Sequence, residues 1–418
     1  MGALLKTNGQ FRVYLVYQIF SGLGGGIFSM FMLLSVHLIY GNAIYTGIAG
    51  FLMSAPFIFS FAVGPVVDRS NKVKIMRLTT LLEFGVLALL TFTPLLESLG
   101  VLFMFTVITV YSIAALFEGP SGRALLPHIV NEEEILQGNS LINIASLTGG
   151  ILLAILLFGV LGEGENLRLI YGLSTGFLAG ALLFALFLRD PSAKAGPAGK
   201  PKHSYLPDLI AGAKFLRKNV LLFFLIAIVT RVFFAEISYV NMPAFAEYHA
   251  GAQGYIVIAV VGMVGSIIAS SLVGTLGKKF KVGQMMSAFF IFAGTARIFF
   301  ALVLPESFYG ALGIVVVFAT FISAAGIVYG TLEQKIPPKD MVGRVDTMTT
   351  TFVAISVSLG ALAGGFIGRV VPDVAYIFIA QGTIIILTGI YFALVPGIRK
   401  LPKIDDITRE GEDPDEEK

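Results

Sequence analysis

Gly64-Pro65-Val66-Val67-Asp68-Arg69-Ser70-Asn71-Lys72-Val73-Lys74-Ile75-Met76-Arg77 is a short cluster of glycine, acid and base between two apolar runs. Each run is about 20 residues long, enough to cross a bilayer, so the cluster reads as a tight turn at the membrane surface. The cations Arg69, Lys72, Lys74 and Arg77 mark that surface as the cytoplasmic one.

The whole chain has the same oily character. Of 418 residues, 56% are hydrophobic and 13% charged, whereas soluble domains carry about a quarter charged residues. This composition belongs to an integral membrane protein. Twelve spans are expected, at 11–39, 43–67, 75–96, 100–122, 135–161, 166–188, 220–245, 252–276, 283–304, 307–333, 343–369 and 374–396. With a cytoplasmic amino terminus, all 29 Lys and Arg except Arg168, Arg231, Arg297 and Arg369 fall in cytoplasmic segments. A multi-pass protein of the cell membrane with both termini cytoplasmic is therefore expected. No cleavable signal peptide is expected, because a short polar stretch leads directly into the first span.

The spans divide into an all-α pair of six-helix lobes, 1–188 and 220–398. A Pro-, Gly- and Lys-rich cytoplasmic linker, 189–219, joins them and ends in an amphipathic surface helix, Tyr205–Lys218. An acidic cytoplasmic tail follows at 399–418, with Glu410–Lys418 expected to be disordered. An internal repeat supports the division. V-G-T-L-G-K-K-F-K (Val273–Lys281) follows the opening cluster by about 210 positions and repeats its glycine-base outline, with Gly277 in place of Asp68. A-L-L-P-H-I-V-N-E-E-E after span four is echoed by E-Q-K-I-P-P-K-D-M-V-G-R-V after span ten, which sets Pro127 and Pro337 at the same offset. Parallel repeats of this kind place a substrate site between two pseudo-symmetric lobes near the midplane.

The order Gly, three residues, Asp-Arg, two residues, then spaced Lys resembles the signature loop between helices 2 and 3 of major facilitator superfamily transporters. Phe117–Pro127 (F-E-G-P-S-G-R-A-L-L-P) and Pro337–Val345 (P-P-K-D-M-V-G-R-V) resemble the paired loops of its macrolide-efflux and enterobactin-exporter-like branch. The resemblance implies a secondary active transporter with alternating access, exporting a hydrophobic or amphiphilic molecule such as a drug, macrolide or siderophore. Proton antiport is the branch's common coupling. Three departures weigh against that coupling here. Gly25 stands where an acid often follows Ser-x-x-Gly in span one, Gly150 and Ala361 replace prolines in spans five and eleven, and span four lacks the embedded Arg of many relatives.

By the same resemblance, Gly64, Asp68, Arg69, Lys72, Arg344 and Asp346 form a cytoplasmic gate, in which Asp68 docks against the start of span eleven. The first turn there presents free N–H groups and partial positive charge. Asp346 already occupies that turn. It caps the helix, repels Asp68, or pairs with Arg69 or Lys72; the pair is the favoured expectation, because Arg69, Lys72 and Arg344 outnumber Asp68.

Ionisable groups within the spans are functional candidates because burying them is costly. They are Glu83, Arg231, Glu236 and Arg297. Glu236 either carries a coupling proton or cation, or pairs with Arg297 or another span to fix packing; Arg231 and Arg297 are expected to be structural. Five positions separate Arg231 from Glu236, about 140° around a helix, so Tyr239 rather than Arg231 shares the Glu236 face. Glu83 is expected to snorkel toward Arg77. With 36 Phe and 14 Tyr against no Trp, a cavity with Phe233 and Tyr239 as walls and Gln18, Ser21 and Asn241 as polar handles suits a bulky amphiphile.

Absent cysteine and four scattered histidines leave no metal site, and no cofactor is implied. The small, dispersed net charge of +3 points to no nucleic-acid partner. No catalytic motif points to an enzyme. The expected partners are a small-molecule substrate, the lipid bilayer and, as a coupling ion, protons; the expected state is a monomer. The other reading is a transporter-like sensor or assembly partner that moves nothing.

Overall fold

The structure, a computed structural model, describes residues 2–92, 100–131, 167–191, 205–304, 306–338 and 341–407, with single positions between 134 and 149. The expected fifth span, the linker 192–204 and the end of the tail, 408–418, lie outside these residues, wholly or nearly so. Every regular element among the described residues is helical. The chain forms two compact units, Met1–Lys202 and His203–Lys418.

In the amino-terminal unit, α1 (Gly2–Thr7) leads into α2 (Gly9–Tyr40) through Asn8. The Asn8 side chain accepts the Phe11 N–H at 2.9 Å, capping α2. Its Nδ2 donates to Ile129 O at 2.6 Å. The second crossing is broken into α3 (Ala43–Ser54), a 3-10 turn (Ala55–Phe59) and α4 (Ser60–Arg69), because Pro56 has no N–H to continue the ladder. Then follow α5 (Lys72–Phe92), α6 (Gly100–Ile129) and α7 (Leu167–Phe187). Here the structure corrects the sequence reading: Phe117–Pro127, expected as a loop, forms the last turns of α6 despite Pro120 and Pro127. Neighbouring side chains stabilise that stretch, with Tyr14 Oη donating to Gly122 O at 2.8 Å and Asn8 holding the final carbonyl.

The carboxyl-terminal unit contains α8 (Tyr205–Lys218), α9 (Leu221–Leu276), α10 (Val282–Val303), α11 (Phe308–Lys335), α12 (Val342–Val370), α13 (Ala375–Leu394) and α14 (Pro396–Arg399). At 56 residues, α9 is far too long for one crossing of a core about 30 Å thick. Gly251, at φ 70° and ψ 174°, breaks it into two. Ten described helices are long and apolar enough to span, and counting α9 twice gives eleven crossings. Small residues let them approach closely: a Cβ on Gly294 of α10 would lie 2.5 Å from Gly382 O of α13.

The repeat reappears in how each unit fastens its helix ends. The Lys72 N–H at the start of α5 donates to Asp190 Oδ2 at 2.8 Å, and the Val282 N–H at the start of α10 donates to Pro402 O at 3.1 Å. Donors and acceptors are thus 210 and 212 positions apart, the offset found in the sequence. Arg77 completes the first fastening through Ala185 O, Leu186 O and Leu188 O. In the second, Lys335 Nζ donates to Ile404 O at 2.9 Å, and the Ile404 side chain covers Gly277, where a Cβ would sit 3.2 Å from Cδ1. Residues 400–407 are therefore packed against their unit.

Candidate functional site

The amino-terminal unit contains a cavity of about 300 Å³ lined by Gln18, Ser21, Gly22, Gly25, Gly26 and Ser29 of α2, Glu83 of α5, Tyr111, Ala115 and Glu118 of α6, and Ile142. Two carboxylates face it. Glu83 lies eleven residues into α5 and Glu118 eleven residues before the end of α6, about 16 Å of helix each, so these neighbouring spans bring both acids to the same depth near the bilayer midplane.

Their environments differ. Glu118 Oε1 accepts hydrogen bonds from Tyr17 Oη, at 2.8 Å, and from Ser21 Oγ. Tyr17 Oη also lies 2.8 Å from Thr80 Oγ1, so three spans hold this carboxylate in place. Glu83 is 1% exposed, and its Oε1 has no hydrogen-bond partner among the described residues. The expected snorkelling of Glu83 toward Arg77 is corrected: Arg77 is held by the carbonyls at the end of α7, while Glu83 turns to the cavity. Of the cavity residues foreseen in the sequence, Gln18 and Ser21 are lining residues. Glu118 was missed as a site residue although it falls within the expected span 100–122, because Phe117–Pro127 resembles a loop. At Gly25, where an acid often stands in relatives, a Cβ would lie 3.1 Å from the hydroxyl of Tyr111, whose ring is stacked on Phe28, so a side chain there needs that hydroxyl to shift slightly.

The buried charge of the carboxyl-terminal unit is arranged differently. Arg297 is 6% exposed; its Nε donates to Gln381 Oε1 at 2.6 Å, and its guanidinium lies 4.6–5.1 Å from the rings of Phe300, Phe318 and Phe378. The alternative of a Glu236–Arg297 pair is thereby excluded. Glu236 instead lies along α12, with its Cβ 3.0 Å from where a Cβ on Gly360 would be. Phe233 O meets the same glycine, and the Phe233 ring packs edge-on to Phe234. Tyr239, expected as a cavity wall, is 41% exposed on α9. Asn241, expected as a substrate handle, is 3% exposed and donates to Ile237 O and Gly364 O at 2.8 and 2.9 Å, clamping α9 to α12. Arg231 is half-buried on α9.

Among the gate residues, Gly64 and Arg69 are exposed on α4, whereas the side chain of Asp68 lies outside what is described. Lys72 is 7% exposed, and its backbone N–H donates to Asp190 Oδ2 of the same unit. Asp346 is exposed on α12 near Glu333, which accepts from Tyr329 Oη at 2.7 Å. Arg344 O lies against Gly212 of α8, where a Cβ would be 2.7 Å away. The surface helix thus rests on the start of α12.

The sequence profile of the Major Facilitator Superfamily matches residues 14–361. This chain belongs to that superfamily. Macrolide efflux protein A of Streptococcus pyogenes is 25% identical over 380 residues, covering 86% of this chain and 89% of the relative. Among solved structures, the nucleoside transporter NupG matches with a TM-score of 0.70 at 13% identity, over 92% of this chain and 98% of that one. A bacterial homologue of the iron transporter ferroportin, in its inward-facing state, matches at 0.70 and 14%, over 93% and 98%. The peptide transporter POT in complex with sulfate matches at 0.69 and 14%, over 95% and 96%. These neighbours share the fold. The major facilitator fold accounts for the two units and their repeat, and as a superfamily member this multi-pass chain is a transporter.

Proposed function

We propose that the protein exports a hydrophobic or amphiphilic small molecule across the cell membrane by alternating access of its two lobes, driven by proton antiport. The observation that carries this reading is the pair of acids at mid-membrane depth, Glu83 and Glu118, with no basic side chain among the described residues lining their cavity. A carboxylate in such a place is costly, and sites of this kind mark ion and substrate paths. The resemblance to a macrolide efflux protein supports the outward direction and the amphiphilic substrate. Gly25 in span one no longer argues against coupling, because α5 and α6 supply acids across the same cavity. On the cytoplasmic side, Asp68 against the start of α12 acts as the latch, with Asp346 and Arg69 as an added charge pair.

The test is efflux of a macrolide from proteoliposomes under an imposed pH gradient. Concentrative efflux that collapses with an uncoupler supports the reading. A macrolide whose distribution ignores the gradient removes the coupling, and the absence of any flux removes transport.

A further inference from the structure

We propose that the cavity within the amino-terminal lobe is a binding subsite for an organic ammonium group, with Glu83 as its counter-ion. This deepens the transport reading and rests on it for physiological meaning, while the binding itself does not require flux. Four features lead to it.

First, the only formal charges on the lining among the described residues are the two acids. The nearest base along α6, Arg123, is exposed and absent from the lining. Second, the two carboxylates divide the work. Glu118 is immobilised by Tyr17 and Ser21, whereas Glu83, at 1% exposure on the cavity wall, keeps an oxygen without a hydrogen-bond partner among the described residues. A buried carboxyl group facing a cavity is stabilised in its ionised form by a cation that reaches it, because the pair costs less to bury than the lone charge.

Third, the cavity has the wrong size and lining for a bare metal ion. A dehydrated monovalent ion needs a closed shell of oxygens at contact distance, and about 300 Å³ is the lower end of the range for small-molecule pockets. Fourth, the α2 wall is bare. Gly22 and Gly26 are exposed to the opening, and a Cβ on Gly22 would meet nothing within 4 Å. That wall leaves room for the alkyl groups of a tertiary or quaternary amine.

The probes are (4-hydroxyphenyl)trimethylammonium and its neutral isostere 4-tert-butylphenol, which differ only in the charged nitrogen. Binding is measured by equilibrium dialysis on the purified full chain in nanodiscs. Saturable binding of the ammonium compound that the phenol does not displace is expected. Glu83→Gln should weaken it at least about thirtyfold, as removal of one partner of a buried charge pair does. Glu83→Asp should restore part of the affinity. Gly22→Leu should exclude the same probe by filling the open wall while keeping the folded yield.

Equal displacement by the neutral phenol overturns the proposal, as does unchanged affinity in Glu83→Gln. Displacement by sodium chloride at concentrations matching the probe overturns it in favour of an inorganic-cation site. Should Glu83→Gln fail to fold, the isostere comparison on the unaltered protein and Gly22→Leu decide. Ammonium binding without macrolide flux would count against the transport reading alone. Flux of neutral macrolide analogues without ammonium binding would count against the subsite alone.

Discussion

The two lobes share a repeat, yet they treat buried charge in opposite ways. The amino-terminal lobe directs two acids into an open cavity and leaves a Glu83 oxygen unpartnered among the described residues. The carboxyl-terminal lobe encloses Arg297 between Gln381 and three phenyl rings, with the cation's needs met by the lobe itself. A satisfied buried charge holds helices together, whereas an unsatisfied one is retained at a cost to stability and indicates a ligand. The same fold thus contains one lobe built to receive a cation and one built to hold its own.

The strongest way to break this contrast is Glu83→Gln. Transport should fall at least about a hundredfold, the loss of a stabilising interaction worth roughly 3 kcal/mol at a buried charge. The melting temperature should stay level or rise, because a buried carboxyl group whose Oε1 has no hydrogen-bond partner among the described residues is gone. If Glu236→Gln, and not Glu83→Gln, abolished pH-driven transport, the functional charge would belong to the other lobe and the contrast would fail.

Next in size is Arg297→Ala, which leaves the Gln381 carbonyl buried without its donor and empties the aromatic cage. About 3 kcal/mol of stability should be lost, read as a lower unfolding temperature, with transport per folded molecule largely kept. A stable but inactive Arg297→Ala protein would give that arginine a functional role. Because Arg297 is not paired with Glu236, the effects of Arg297→Ala and Glu236→Gln on stability should add to within about 0.5 kcal/mol in the double variant.

Smaller still is Asn241→Ala, which releases the clamp between α9 and α12. A loss of about 1 kcal/mol is expected, in keeping with interhelical hydrogen bonds in membranes. The smallest effect belongs to Asp346→Asn, an exposed group whose pairing is worth about 0–1 kcal/mol. Labels on the cytoplasmic ends of the two lobes should report a weak, at most severalfold, shift toward the cytoplasm-open state, and Asp68→Asn a stronger one. Closure on removing Asp346 would mean that repulsion of Asp68 outweighs pairing with Arg69.

The amino-acid sequence alone determined the class of the molecule: the apolar runs, the basic turns and the offset of 210 between Pro127 and Pro337 point to spans and two lobes, because bilayer thickness and backbone hydrogen bonding leave a chain this oily few other folds, and the family entered through the resemblance of its loop motifs. It also marked Glu83, Glu236 and Arg297 as intramembrane charges. Only the tertiary structure decided what each charge faces. Glu118 was passed over because Phe117–Pro127 resembles a loop, whereas that stretch continues as helix with Tyr14 and Asn8 holding neighbouring carbonyls. Lys72, a surface cation by its place in the basic turn, is buried because the end of α7 folds back to cap α5 through Asp190. Asn241 and Arg297 are likewise assigned by partners more than 80 positions away, Gly364 and Gln381. Hydropathy is summed along the chain and survives in the sequence, but partnership is set across helices, where no local pattern records it.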